Sequence, residues 1–141
     1  MRLHLNVKNI DGDEQIARSQ ISQIKSQFLA EVKKPRIFLN KSIIYASYNI
    51  SEDACWEKFA IGEISNHRTN KISINRIKRL HWIPILIDYI VNNNYVSPDP
   101  DISYSVKREE HTIYVSSKKY KLVLRELKKY MLVITAYPLN K

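Results

Sequence analysis

The sequence predicts an α+β fold in which N-terminal helices cover one face of a four-stranded or larger antiparallel sheet and leave the other face open and basic. Three observations carry this. Apolar residues between Asp13 and Lys33 recur mostly three to five apart, the spacing of one helix face. After Asp101 the period switches to two in four successive runs with short connections, and such connections join antiparallel neighbours. The charge is also uneven: residues 64–141 hold fourteen Lys and Arg against six Asp and Glu, so eight of the nine net positive charges lie in the half that reads as strands.

The elements follow in order. Arg2 to Val7 alternates as a short strand, broken by Ile10-Asp-Gly-Asp. Residues 13–33 form an amphipathic helix with Asp13 as cap, Ile16, Ile21, Ile24, Phe28, Leu29 and Val32 as its apolar set, and Pro35 beyond its end. Ile37 to Ser47 is β-branched enough for a strand or two. Ser51 opens a short helix with Asp53 in its first turn. Ser73 caps another that points Ile77 and Leu80 inward, and Pro84 then imposes either a kink near His81 or a new helix with the proline in its first turn, running to about Val91. Ser97-Pro-Asp-Pro-Asp is a loop. The four strands are Ile102 to Arg108, Thr112 to Ser116, Lys119 to Glu126 and Tyr130 to Tyr137.

At 141 residues and 44% apolar content the chain fits a single domain, 1–141, with 1–65 a helical N-terminal part and 66–141 a helix plus antiparallel sheet. The lone Cys55 rules out a disulfide framework and fits no zinc spacing, so neither a metal nor a cofactor is expected. Two glycines argue against a phosphate-cradling loop and a nucleotide triphosphatase. No apolar run is long enough to span a bilayer and the start lacks the apolar core of a signal peptide, so a soluble chain without a membrane partner is expected.

Alternation assigns faces. Ile113 and Val115 oppose Thr112, Tyr114 and Ser116. Leu122 and Leu124 oppose Lys121, Val123 and Arg125. On the last strand Leu132, Ile134 and Ala136 share one side, and Met131, Val133, Thr135 and Tyr137 the other. A basic face of this kind is suited to a polyanion.

The segment Arg76-Ile-Lys-Arg-Leu-His-Trp-Ile, a proline-containing loop, and strands closing in Leu-Val-Ile-Thr-Ala-Tyr-Pro resemble the phage-associated branch of the superfamily that unites barnase, EndoU, the tRNA-cleaving colicins and the RelE toxins. The resemblance runs from about Asn70 to Pro138, half the chain; residues 1–65 do not share it. It implies an RNase-like second half and a metal-independent ribonuclease of toxin type. It also implies RNA, tRNA included, as substrate, an immunity or antitoxin protein as a second partner, and action in the cytoplasm, in some relatives after delivery into a target cell. The site would lie on the sheet face away from the helices.

Metal-free RNA cleavage to a 2′,3′-cyclic phosphate needs a base for the 2′-hydroxyl, donors for the phosphorane and an acid for the leaving oxygen. Candidate catalytic residues are Arg79, His81, His111, Thr135 and Tyr137; His67 is a weaker candidate. His111 follows Lys107 and Arg108, whose charge would favour a neutral imidazole, but it also reads as a hairpin residue. His81 reads equally as a residue packed at the core boundary. Candidate RNA-binding residues are Arg76, Lys107, Arg108, Tyr114, Lys121 and Arg125, with Lys118, Lys119, Lys128 and Lys129 as further backbone charge and Tyr104 as a stacking ring. A non-catalytic RNA- or DNA-binding module reads from the same face, and a neutralising partner protein is a third reading that the positive charge disfavours.

Overall fold

Asp13 opens the longest helix as expected. In the computed structural model, which describes residues 3–61 and 73–139, the backbone N–H groups of Gln15 and Ile16 donate to its carboxylate at 3.0 and 3.2 Å. They start α1 (Glu14–Lys33). Ile24, Phe28, Leu29 and Val32 are buried, whereas Ile16 is exposed. Lys34 is extended, as steric conflict with the following proline ring requires. A hairpin of β1 (Ile37–Phe38) and β2 (Lys41–Tyr45) follows. Its two turn residues, Leu39 and Asn40, both have positive φ, the handedness that matches strand twist.

Ser51 accepts from the Ala54 N–H at 2.9 Å and opens α2 (Glu52–Ala60), which buries Cys55, Trp56 and Phe59. Ser73 caps α3 (Ile74–Ile77), a single turn. A separate α4 (Trp82–Asn92) then holds Pro84 in its first turn. There the missing N–H has no intrahelical partner to lose. The proline therefore starts a helix; it does not kink one.

The four meander strands appear as β3 (Ile102–Lys107), β4 (Glu110–Val115), β5 (Tyr120–Glu126) and β6 (Tyr130–Pro138). They belong to a six-stranded sheet in the order β1-β2-β6-β5-β4-β3. Two expectations need correction. The sheet is mixed, because β2 lies parallel to β6 with Ile44 opposite Leu132 and Tyr45 opposite Val133. Short turns force antiparallel neighbours, but β2 and β6 are separated by most of the chain and carry no such constraint. The N-terminal part is thus not only helical, since it supplies two strands to the common sheet. Second, residues 3–11 form no strand. Their polar groups are bonded elsewhere: Lys8 N–H to the Lys78 carbonyl at 3.0 Å, Leu3 N–H to the Asp99 carboxylate at 3.1 Å.

One sheet face lines the core with Tyr45, Met131, Val133, Ala136, Tyr120, Leu122, Leu124, Ile113 and Val115, all buried. Rings from three helices meet it: Phe28 and Phe59 lie 5.8 and 5.5 Å from Tyr45, and Trp82 lies 4.9 Å from Tyr120. On β6 strict alternation fails. Val123 pairs with Thr135 and Leu124 with Val133, so Ile134 is an extra residue, a bulge. Met131, Val133 and Ala136 therefore share the core face, and Leu132 moves to the opposite face with Thr135 and Tyr137. One inserted residue reverses the facing of everything beyond it.

Candidate nucleic-acid interface

Strand register lays the sheet face opposite the core out in rows. Tyr137, Lys121, Tyr114 and Ser103 are successive neighbours across β6, β5, β4 and β3; Thr135, Val123, Thr112 and Ser105 form the next row, and Leu132, Arg125, Glu110 and Lys107 the third. Strands stand about 4.8 Å apart, so each row runs about 14 Å. A line carrying three hydroxyls lies between two lines that carry the cations.

At the end of the sheet holding the β3–β4 and β5–β6 turns, this face opens into a concavity of about 850 Å³. Lys107, Arg108, Lys121 and Arg125 line it with the hydroxyls of Ser105 and Thr112. Glu109, Glu110 and Glu126 also line it, leaving one cation in excess. Glu110 sits between Arg125 and Lys107 in register, where it holds the two cations from repelling one another. Four of the sequence-predicted RNA-binding cations are thus in one place.

A second cluster forms at the far end of β6. Just past β2, the Ala46 N–H donates to the Val133 carbonyl at 2.9 Å, and among the described residues no strand pairs with β6 beyond Val133 on that side. The Leu139 N–H donates to the Lys119 carbonyl at 2.7 Å, and the alternation of antiparallel bonding then turns the Ala136 carbonyl away from β5. Arg76 of α3 meets that edge. Its Nη1 is 3.3 Å from the Ala136 carbonyl and 3.5 Å from Thr135 Oγ1, and its guanidinium lies over the Tyr137 ring at 5.3 Å. Tyr137 is the register neighbour of Lys121. Arg76, Thr135, Tyr137 and Lys121 therefore form a continuous group, and Lys121 joins it to the concavity.

The other catalytic candidates lie elsewhere. Arg79 donates from Nη1 to the Asn75 carbonyl at 2.8 Å and stacks over Trp82 at 5.5 Å, bound within its own helical segment. His81 bonds through Nε2 to the Asn6 carbonyl at 2.7 Å, an oxygen that also accepts from Trp82 Nε1 at 3.0 Å. Its Nδ1 is buried without a partner among the described residues, and burial lowers its pKa, opposed by the Asn6 bond and reinforced by Lys8. His81 faces a smaller concavity beside Lys8, Glu31, Arg36 and Asp88, on the helical side of the molecule. His67 lies outside the described residues.

His111 is 2% exposed and on the core face. Its Nε2 is 3.0 Å from Glu126 Oε1 and its Nδ1 is 2.6 Å from the Tyr104 hydroxyl; Lys41 Nζ is 2.9 Å from Glu126 Oε2. The Lys41 hydrogen bond, then that of His111, holds the Glu126 carboxyl below its ordinary range, and burial pushes the Tyr104 hydroxyl up to about 12. With Glu126 ionised, Nε2 donates to it, and in the neutral ring Nδ1 accepts from Tyr104. This chain ties β2, β5, β4 and β3 together and turns Tyr104 away from the face where stacking was expected of it. Lys41 and Glu126 were missed as its members. The signal for His111 was present: it is in step with Ile113 and Val115, hence on the aliphatic side.

Neither the protein-family models, nor the curated proteins, nor the solved structures compared with this chain yield a match. The fold and the site define an α+β protein with a mixed six-stranded sheet. Among the described residues no helix is long and apolar enough to cross a membrane.

Proposed function

We propose that this protein binds RNA across the open, basic face of its sheet, with the helices packed on the other. The observation that supports this best is the common concavity of Lys107, Arg108, Lys121 and Arg125 over the hydroxyls of Ser105 and Thr112. Cations there take phosphate oxygens, and hydroxyls bond phosphate or the ribose 2′-hydroxyl. Binding that weakens steeply with salt, and weakens further in Lys121→Gln, is the expected result in fluorescence anisotropy with labelled RNA. Salt-independent binding, or none, would remove this reading.

A second reading adds chemistry: a metal-independent endonuclease of toxin type, acting on a structured RNA such as tRNA and held in check by an immunity or antitoxin protein. Convergence of Arg76, Thr135, Tyr137 and Lys121 favours it. Solvent water would take the 2′-hydroxyl proton as that oxygen attacks phosphorus, Arg76 and Lys121 would carry the phosphorane charge, Tyr137 would supply the proton for the leaving 5′ oxygen, and Thr135 would orient the guanidinium. His81, His111 and Arg79 have no part in this version. Total bacterial RNA incubated with the protein in EDTA should yield fragments ending in cyclic phosphate. RNA bound but left intact at high protein excess returns the protein to the binding reading alone.

A further inference from the structure

The face opposite the core is not basic throughout. On β1, β2 and β6 it carries Ile37, Ile44, Leu132 and Tyr130: Ile44 pairs with Leu132, and Ser42 lies between Ile37 and Tyr130 in register. Ile37 is 55% and Tyr130 43% exposed, and Ile44 and Leu132 are half-buried. The next strand brings Arg125 directly beside Leu132, with Lys107 two places further along the same row. An apolar strip and a cationic groove therefore run side by side on one continuous surface.

Building on the RNA-binding reading, we infer that the ligand of this face is single-stranded, with its phosphates in the groove and its unpaired bases laid on the strip of Ile37, Ile44, Leu132 and Tyr130. A duplex presents charge outward on both strands and keeps its base faces stacked inside, so it can use the groove but not the strip. An unpaired strand offers phosphate on one side and flat, weakly hydrated bases on the other, a few ångströms apart, which is the spacing of neighbouring strands here. Tyr130 is the stacking ring and the aliphatic residues widen the platform. The hydroxyls of Ser105 and Thr112 line the groove itself, with Thr135 on the same row, where they can meet the ribose of a strand whose phosphates lie there.

The test compares three labelled probes on the full chain: a short 2′-O-methyl oligouridine, which cannot transesterify, the same strand with abasic sites, and a 2′-O-methyl duplex of equal length. The oligouridine should bind tightest. Tyr130→Ala should weaken it about fivefold to tenfold, the loss of one base–aromatic stack. Tyr130→Phe should restore it, and neither change should move duplex or abasic affinity. Lys107→Gln should weaken all three probes. Equal affinity for oligouridine, abasic strand and duplex would overturn the inference while leaving the binding function standing. So would a dimer in sedimentation that Tyr130→Ala dissolves, since a second copy would then cover the strip. Failure of every probe to bind, in a folded protein, would overturn both.

Discussion

Arg76 Nη1 stands 3.5 Å from the Thr135 hydroxyl, a contact between residues 59 positions apart in the chain, made on the stretch of β6 beyond Val133, where the pairing with β2 has ended. The guanidinium meets the carbonyl of Ala136 and the ring of Tyr137 at the same edge. The closing strand thereby presents a hydroxyl and a phenol beside the cation of α3, with Lys121 adjoining.

Thr135→Val separates chemistry from support. The substitution keeps the branched shape and removes one long hydrogen bond, so stability in urea should fall by about 1 kcal/mol or less. On the endonuclease reading, RNA cleavage in EDTA should fall about a hundredfold, the scale of misplacing the guanidinium that this hydroxyl orients. Cleavage at the parental rate would take Thr135 out of the site.

Groove charge should appear in the salt dependence. Each cation lost from a single-strand interface lowers the slope of log affinity against log salt by about 0.7. Lys121→Gln with Arg125→Gln should therefore reduce it by about 1.4, whereas Lys34→Gln, paired with Glu31 at 2.7 Å on α1, should leave it unaltered.

His111→Ala is expected to act on folding. It removes a side chain that is 2% exposed and takes a partner from both Tyr104 and Glu126. The cost should be about 2 to 4 kcal/mol in denaturant unfolding. RNA affinity of the folded variant should match the parent, and a stable but non-binding His111→Ala protein would contradict the placement of this residue in the core network.

Acid should weaken the fold in two separate windows. Burial keeps the His81 pKa below 6.5 in the folded protein, so as pH falls through 6.5 the unfolded chain takes up a proton that the folded chain refuses. Stability from this group is complete above that pH and declines below it. Protonation would add a donor at Nδ1, which has no partner among the described residues, amid the charges of Lys8, Glu31, Arg36 and Asp88. Glu126, whose pKa lies below 4.5, withdraws its contribution only as pH falls further. Thermal melts of His81→Gln, which keeps a donor for Asn6, should lose the decline in the first window and retain the second.

Much of the fold was legible because its signals are local. Asp13, Ser51 and Ser73 cap the helices they were expected to cap, and four period-two runs became the four meander strands. The cations of β3 and β5, with Arg108 beside them, could be grouped because short turns leave little freedom of register. The bulge at Ile134 could not be read, since a single extra residue on β6 has no signature distinct from ordinary alternation. Nor could the contacts of Arg79, expected as catalytic, and Arg76, expected as a binding cation, be read from one shared segment: Arg79 is folded back on Asn75 and Trp82, and Arg76 reaches β6.

By itself the sequence determined the starts of the three capped helices, the meander and the concentration of positive charge in its second half, because capping, side-chain period and composition act over a few residues. Only the tertiary structure decided that β2 runs parallel to β6, that His111 takes Tyr104 and Glu126 as its partners, and that Leu132 shares a face with Thr135. Those outcomes depend on which distant strand fills a free sheet edge and how one bulge shifts the register, and both are settled by packing between residues far apart in the chain.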